Sequence, residues 1–141
     1  TLEIFECLDE FSDTQNFCDH YGFDIEDSCN AILIKAKKPE EFYAMFCVLG
    51  ANRLDVNHKA KEAMGAKRVS FASREEAEAV TGQIYGGISP LGLPENIKVY
   101  MDKNVTDREK LFIGAGNRVS KFFLSPETLI DLSGAKVLDL T

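Results

Sequence analysis

Residues 81–94 read TGQIYGGISPLGLP, four glycines and two prolines in fourteen residues. The stretch follows a helical pattern, REEAEAVT, and precedes a strand of β-branched and aromatic residues, IKVYMD. Two readings compete for so flexible a segment. One is a plain connection between a helix and a strand. The other is a binding loop built from backbone: Gly86-Gly87 can turn consecutive N–H groups toward one point, a concavity for an oxyanion or carbonyl oxygen. A ligand can also come close where no Cβ intervenes. Gly82 suits the left-handed cap of the preceding helix, and Ser89-Pro90 fixes the loop's exit by locking one dihedral. A dinucleotide fingerprint fails its context, because the glycines neither follow a strand nor open a helix.

Outward from the loop, the elements alternate irregularly. The opening third, FECLDEFSDTQNFCDHYGFDIEDS, is acidic, aromatic and aperiodic; it reads as a short strand and then a short helix begun near Ser12 or Asp13. AILIKAK alternates in part as a strand, and Lys38-Pro39 makes a turn. The continuous apolar run FYAMFCVL predicts a strand buried on both faces. LDVNHKAKEAMGA predicts a helix capped by Asp55 and stopped at Gly65. After the short strand KRVSFA, Ser73 and Glu76 spell a capping box. Beyond the glycine loop come KLFIGAG and NRVSKFFLS as strands, a helix begun at Ser125-Pro126, and a closing strand AKVLDL. About seven strands and four short helices in this order predict a mixed α/β domain with a curled, mainly antiparallel mixed sheet flanked by short helices.

Composition narrows the function. The chain has 141 residues, 45% of them hydrophobic and 28% charged, the size and balance of one globular domain spanning 1–141. It starts without Met, so residues are expected to be missing from its front. No apolar run approaches the roughly 18 to 20 residues that cross a membrane, and no signal peptide is evident, so a cytoplasmic location is expected. The net charge of −7 argues against coating DNA or RNA through bulk electrostatics, while leaving room for a local basic pocket that touches one RNA end. The four cysteines form no CxxC pair, and the two histidines are isolated, so neither a metal site nor another cofactor is expected. No GxSxG elbow, HExxH, Walker loop or kinase set is present.

A second glycine-rich stretch, Gly114-Ala115-Gly116-Asn117-Arg118, ends one strand and carries a cation, with Lys121 three residues on. The loop, the VYMD strand and then GAGNRVSKFFLSPETLI together resemble the YbaK/prolyl-tRNA-editing family of aminoacyl-tRNA deacylases. The resemblance covers roughly residues 28–141, with the first 27 matching loosely. Its GxxxGGxSP pattern is met by Gly82, Gly86, Gly87, Ser89 and Pro90. The resemblance implies a curled mixed sheet with a pocket beside the glycine loop. It implies hydrolysis of the ester of a mischarged tRNA, without metal or protein nucleophile and with help from the substrate's own ribose hydroxyl. The partner it implies is the tRNA acceptor end, with a synthetase as a second candidate.

One position departs from the family. Many members carry a Lys at the start of the first core strand, where SCNAILIK aligns Asn30. An amide can hydrogen-bond a carbonyl or hydroxyl but supplies no positive charge. Lys35, five residues on, is assigned by its odd offset to the opposite sheet face. The expected site is therefore Gly86, Gly87, Asn30 and Ser89 as the catalytic group. Gly82, Ile88, Pro90, Asp102, Gly114, Gly116, Arg118 and Lys121 are expected to bind substrate. Within that set, Asp102 would take the α-amino group, unless it serves as a strand-end carboxylate capping the next turn, and Arg118 or Lys121 would take a phosphate. Two alternatives stand beside the hydrolase: a non-catalytic module that binds an aminoacyl-tRNA end or small molecule, and a thiol-based redox protein resting on the four cysteines.

Overall fold

The apolar run FYAMFCVL becomes β3 (Phe42–Leu49), the middle strand of a five-stranded sheet. Its neighbours are β2 (Cys29–Lys38), which is antiparallel, and β5 (Lys98–Asp102), which is parallel. The sheet is completed by β4 (Arg68–Phe71) beside β2 and β8 (Lys136–Leu138) beside β5. A second, antiparallel sheet has the order β1 (Glu3–Glu6), β7 (Ser120–Leu124), β6 (Leu111–Gly114). The computed structural model describes all of residues 1–141. The fold is the mixed α/β class that the element order predicts, with the strands divided between two sheets. One parallel bridge, Ser28 to Phe112, joins them.

Alternation along β2 sorts its side chains between two cores, as a period of two requires. Cys29 and Leu33 pack with Met101, Leu111, Ile113 and Leu129 on one face. Ile34 and Ala36 pack with Phe46, Val48 and Leu140 on the other. A third cluster, Cys7, Phe17, Cys18 and Phe112, lies under α1 (Thr14–Tyr21) and draws in Phe5, Phe23 and Phe123.

The helices end where their caps say. α3 (Arg74–Thr81) opens with the full capping box: Ser73 Oγ accepts the Glu76 N–H at 3.1 Å, and Glu76 Oε1 accepts the Ser73 N–H at 3.0 Å. α4 (Pro126–Ser133) begins with proline in its first turn and Ser125 as cap. The segment expected as one helix after Asp55 differs. Asp55 does cap it, accepting the His58 N–H, but residues Val56–Ala60 form a π turn before one α turn, α2 (Lys61–Met64). The Ala60 N–H reaches back five residues to the Asp55 carbonyl, which sets the wider turn. At α1 the cap position is Asp13, whose carboxylate makes no cap bond because it engages Arg118 instead.

The two halves of β2 have different edges. From Ile34 to Ala36 the strand is paired on both sides, by β3 and by β4, and the β4 ladder runs on to Lys38. The ladder with β4 stops after the Ala72 N–H reaches the Leu33 carbonyl at 3.0 Å. Strand alternation turns the N–H and C=O of Ala31 toward the same side, where β4 has already ended.

Candidate active site

A cavity of about 400 Å³ opens along that free edge of β2. Residues 28–33 form one wall and β6, from Phe112 to Gly114, another; Ala77 of α3 and residues 85–88 of the glycine loop enclose the rest. Thr14 and Lys121 close the end nearest α1. A recess of about 690 Å³ on the far edge of the sheet, between β5, β8 and Lys59, contains none of the loop.

The loop is held by main chain. Its Gly87 carbonyl accepts the Gly116 N–H at 2.7 Å, and the Gly116 carbonyl accepts the Ile84 N–H at 3.0 Å. A Cβ on Gly87 would overlap the Asn117 carbonyl oxygen, and one on Gly114 would lie 2.5 Å from the Gly87 carbonyl oxygen. Both positions therefore require glycine for close backbone approach. Gly86, at φ +92°, has the Arg118 guanidinium where a side chain would go. Gln83 ties the loop internally: its Oε1 accepts the Ser89 N–H and its Nε2 donates to the Leu91 carbonyl.

The loop's donors are not the simple pair expected. The Gly87 N–H is spent on the Ile84 carbonyl at 3.0 Å, Tyr85 N–H on Glu78 Oε2 and Ser89 N–H on Gln83. The N–H groups of Gly86 and Ile88 have no acceptor in the chain, and both residues line the cavity.

Of the twelve residues singled out in the sequence, the cavity wall gathers Asn30, Gly86, Gly87, Ile88, Gly114 and Lys121. Asn30 is exposed, with its amide nitrogen beside Gly50 and no hydrogen bond. The other six lie outside the wall. Ser89 is buried behind the loop, its Oγ accepting the Leu91 N–H at 3.1 Å; Pro90 is buried beside it. Gly82 caps α3 and Gly116 zips the loop to the β6–β7 turn. Asp102 is fully buried at the end of β5, accepting the Leu140 N–H at 2.9 Å and capping the 3-10 turn that follows. Lys35 shares the face of Ala31 and Leu33, and is held by Glu76 at 2.6 Å and Glu41 at 3.1 Å. Those bonds push the Lys35 ammonium up, and the same pair brings Glu76 down to about 2.

Arg118 and Lys121 have opposite environments. The Arg118 guanidinium donates to Asp9 at 3.2 Å and Asp13 at 3.3 Å, and these carboxylates push its pKa further up. Lys121 is buried; its Nζ donates to the Ser12 carbonyl at 2.8 Å and stands 5.4 Å from the centre of the Phe17 ring. Desolvation lowers its pKa. All four cysteines are buried free thiols. The hydrogen bond with Cys47 pushes the Cys29 thiol up, and burial does the same at Cys7 and Cys18, the wrong direction for a nucleophilic thiolate.

Sequence reasoning missed Thr14, Phe71, Tyr85 and the β2 backbone as parts of this wall. Tyr85 adjoins Gly86 and its ring lies under the Arg74 guanidinium, a signal available beside the glycine pair; Thr14 and Phe71 carry none.

The curled α/β fold is one that other proteins share. Residues 9–132 match the family described as the aminoacyl-tRNA editing domain, and the chain belongs to that family. Among curated relatives, a protein of Enterococcus faecalis named "Putative Cys-tRNA(Pro)/Cys-tRNA(Cys) deacylase EbsC" is 30% identical over 65% of this chain and 56% of its own length. The proline–tRNA ligase of Nautilia profundicola is 33% identical over 74% of this chain, which corresponds to only 18% of the ligase. The match thus spans little more than half of the first relative and a small part of the second. Among solved structures, "a putative trans-editing enzyme for prolyl tRNA synthetase" superposes with a TM-score of 0.87 at 25% identity, covering 99% of this chain and 86% of that one. No helix is long and apolar enough to cross a membrane.

Proposed function

We propose that this chain is an aminoacyl-tRNA deacylase that hydrolyses the ester of a mischarged tRNA in trans. The observation that carries the reading is the cavity itself, where two unspent backbone donors, Gly86 and Ile88 N–H, border a space walled by small and apolar residues. The size suits an aminoacyl ester with a small side chain, and Ala31, Ala72 and Ala77 leave room for it. An aminoacyl ester is already activated, so holding a water and stabilising the developing oxyanion suffices for chemistry. In this reading the water oxygen bonds to the carbonyl carbon and the carbonyl electron pair moves onto oxygen, facing the loop donors. Collapse re-forms the carbonyl and expels the ribose oxygen, which takes up the proton that water lost. The substrate's neighbouring ribose hydroxyl relays that proton. Asn30 orients the substrate at the rim, and Ser89 holds the loop from behind. The walls act as a second sieve, accepting small side chains that a synthetase cannot reject by binding alone.

The test is a panel of tRNAs charged with Ala, Cys, Ser and Pro. At least one is expected to lose its ester with the chain present; survival of the whole panel sinks the reading. The second reading, a module that binds an aminoacyl-tRNA end without turnover, is favoured by Asn30 standing where a cation is usual and by the two carboxylates that occupy Arg118. It predicts saturable binding without hydrolysis in the wild type, and hydrolysis gained on Asn30→Lys.

A further inference from the structure

Lys121 is the one cation in the cavity wall, and its charge is almost unused. An ammonium carries three donors, and here a single acceptor, the Ser12 carbonyl, takes one of them. The Ser12 hydroxyl is a buried side-chain group with no hydrogen-bond partner. A buried donor left unmade is costly, so an ammonium in a cavity wall with two donors to spare calls for an acceptor ligand rich in oxygen.

Geometry places the Lys121 side chain on the same face of its sheet as the glycine loop. Lys121 pairs directly with Gly114 across β6 and β7, and direct cross-strand partners share a face. The Gly87 and Ile88 carbonyls lie against the position a Gly114 Cβ would take, so the loop sits on the face from which the Lys121 stem rises. The charged form is supported by the Ser12 carbonyl and by the face of Phe17. Arg118, three residues away, cannot substitute, because Asp9 and Asp13 hold its guanidinium.

We propose that the Lys121 ammonium is a catalytic residue that donates to the ester oxygen on which negative charge builds during hydrolysis, the cation that the Asn30 position lacks. This rests on the deacylase reading. Water adds to the carbonyl carbon as described above, and the oxygen that receives the carbonyl electron pair faces Lys121 as well as the loop amides. The ammonium keeps its proton throughout and returns the oxygen when the carbonyl re-forms. Burial lowers the Lys121 pKa, while the charged and titratable groups around it are Arg118, Asp13, Cys7 and Cys18. Deacylation is therefore expected to fall on the alkaline side as the ammonium loses its proton, below the ordinary lysine range.

The experiment compares wild type with Lys121→Met, Lys121→Gln and Lys121→Arg on the fastest tRNA of the panel. Lys121→Met keeps the stem, Lys121→Gln keeps a donor for the Ser12 carbonyl, and Lys121→Arg keeps the charge. Removing such a donor is expected to lower kcat by about 100-fold or more with KM little changed. The loss should be alike in the Met and Gln variants and partly restored by Arg, and the alkaline limb should vanish with the charge. A kcat in folded Lys121→Gln close to wild type overturns the proposal, since a strut to Ser12 would survive that change. A second arm measures calorimetric binding of a phosphonate monoester of adenosine, an anionic tetrahedral probe. Tighter binding by wild type than by Lys121→Gln supports the cation site even if every tRNA survives, which would cost only the deacylase reading. Equal binding overturns it.

Discussion

The two halves of β2 put the same strand to different uses. At the half from Ile34 to Ala36, both edges are paired and the cation Lys35 is saturated by Glu76, Glu41 and the ladder around it. At the half from Cys29 to Ile32, one edge is open, and across the cavity Lys121 has a single carbonyl. A charge closed by carboxylates holds a fold together, whereas one left with spare donors waits for something else. In the proposed reading, chemistry sits where pairing stops.

The sharpest way to break this contrast is to disturb the open half. Gly87→Ala drives a methyl into the Asn117 carbonyl and forces the loop off β6. Overpacking of this kind costs about 1–3 kcal/mol of stability. Deacylation is expected to fall by on the order of 100-fold, because the loop donors move from the ester. Parallel denaturation and single-turnover assays check both, and wild-type turnover in Gly87→Ala would remove the loop from the chemistry.

The closed half should answer differently. Ser73→Ala removes the oxygen that caps α3 and is expected to cost about 1 kcal/mol while leaving turnover unchanged. Urea titration beside the same assay separates the two. A smaller, pH-dependent effect follows from Glu76, whose ordinary pKa of 4.5 is brought down to about 2 by Lys35. A carboxylate depressed in the folded state stabilises above its unfolded pKa and loses that contribution as pH falls toward the folded one. Wild type should therefore exceed Glu76→Gln in stability above pH 4.5, with the gap closing between 4.5 and about 2. A gap constant across that window would show that the ion pair is idle.

The same contrast explains what the sequence disclosed. The closed half is written locally: the β3 run, the Ser73–Glu76 box and the proline of α4 are each visible within a few residues. Asp55 is equally visible, yet the π turn after it is not, because it follows from one long backbone bond. The cavity is assembled from residues near 14, 30, 72, 87, 113 and 121, and no local period connects them. The glycine pair could be read, since close approach leaves a mark in residue type. Its donors could not, because spending the Gly87 N–H on Ile84 is decided by the turn. Lys121 did leave a trace: it shares the strand phase of Phe123, whose side chain packs with the aromatic cluster under α1. Asp102 reads from sequence either as a ligand for an amino group or as a strand-end carboxylate capping the next turn, and its partners are the backbone N–H groups of residues 104 and 140.

Contact between Gly87 and Gly114 has a consequence for how such a protein can change. Where backbone rests on backbone, no side chain sets the spacing, and substitutions in the surrounding walls cannot move the reference surface. The alanines that border the cavity can then be exchanged for larger or smaller neighbours to alter what fits, while the loop stays in place. Two roles are thus divided within one cavity: the contact between two glycines sets where the loop stands, and the side chains of the walls set the space left beside it.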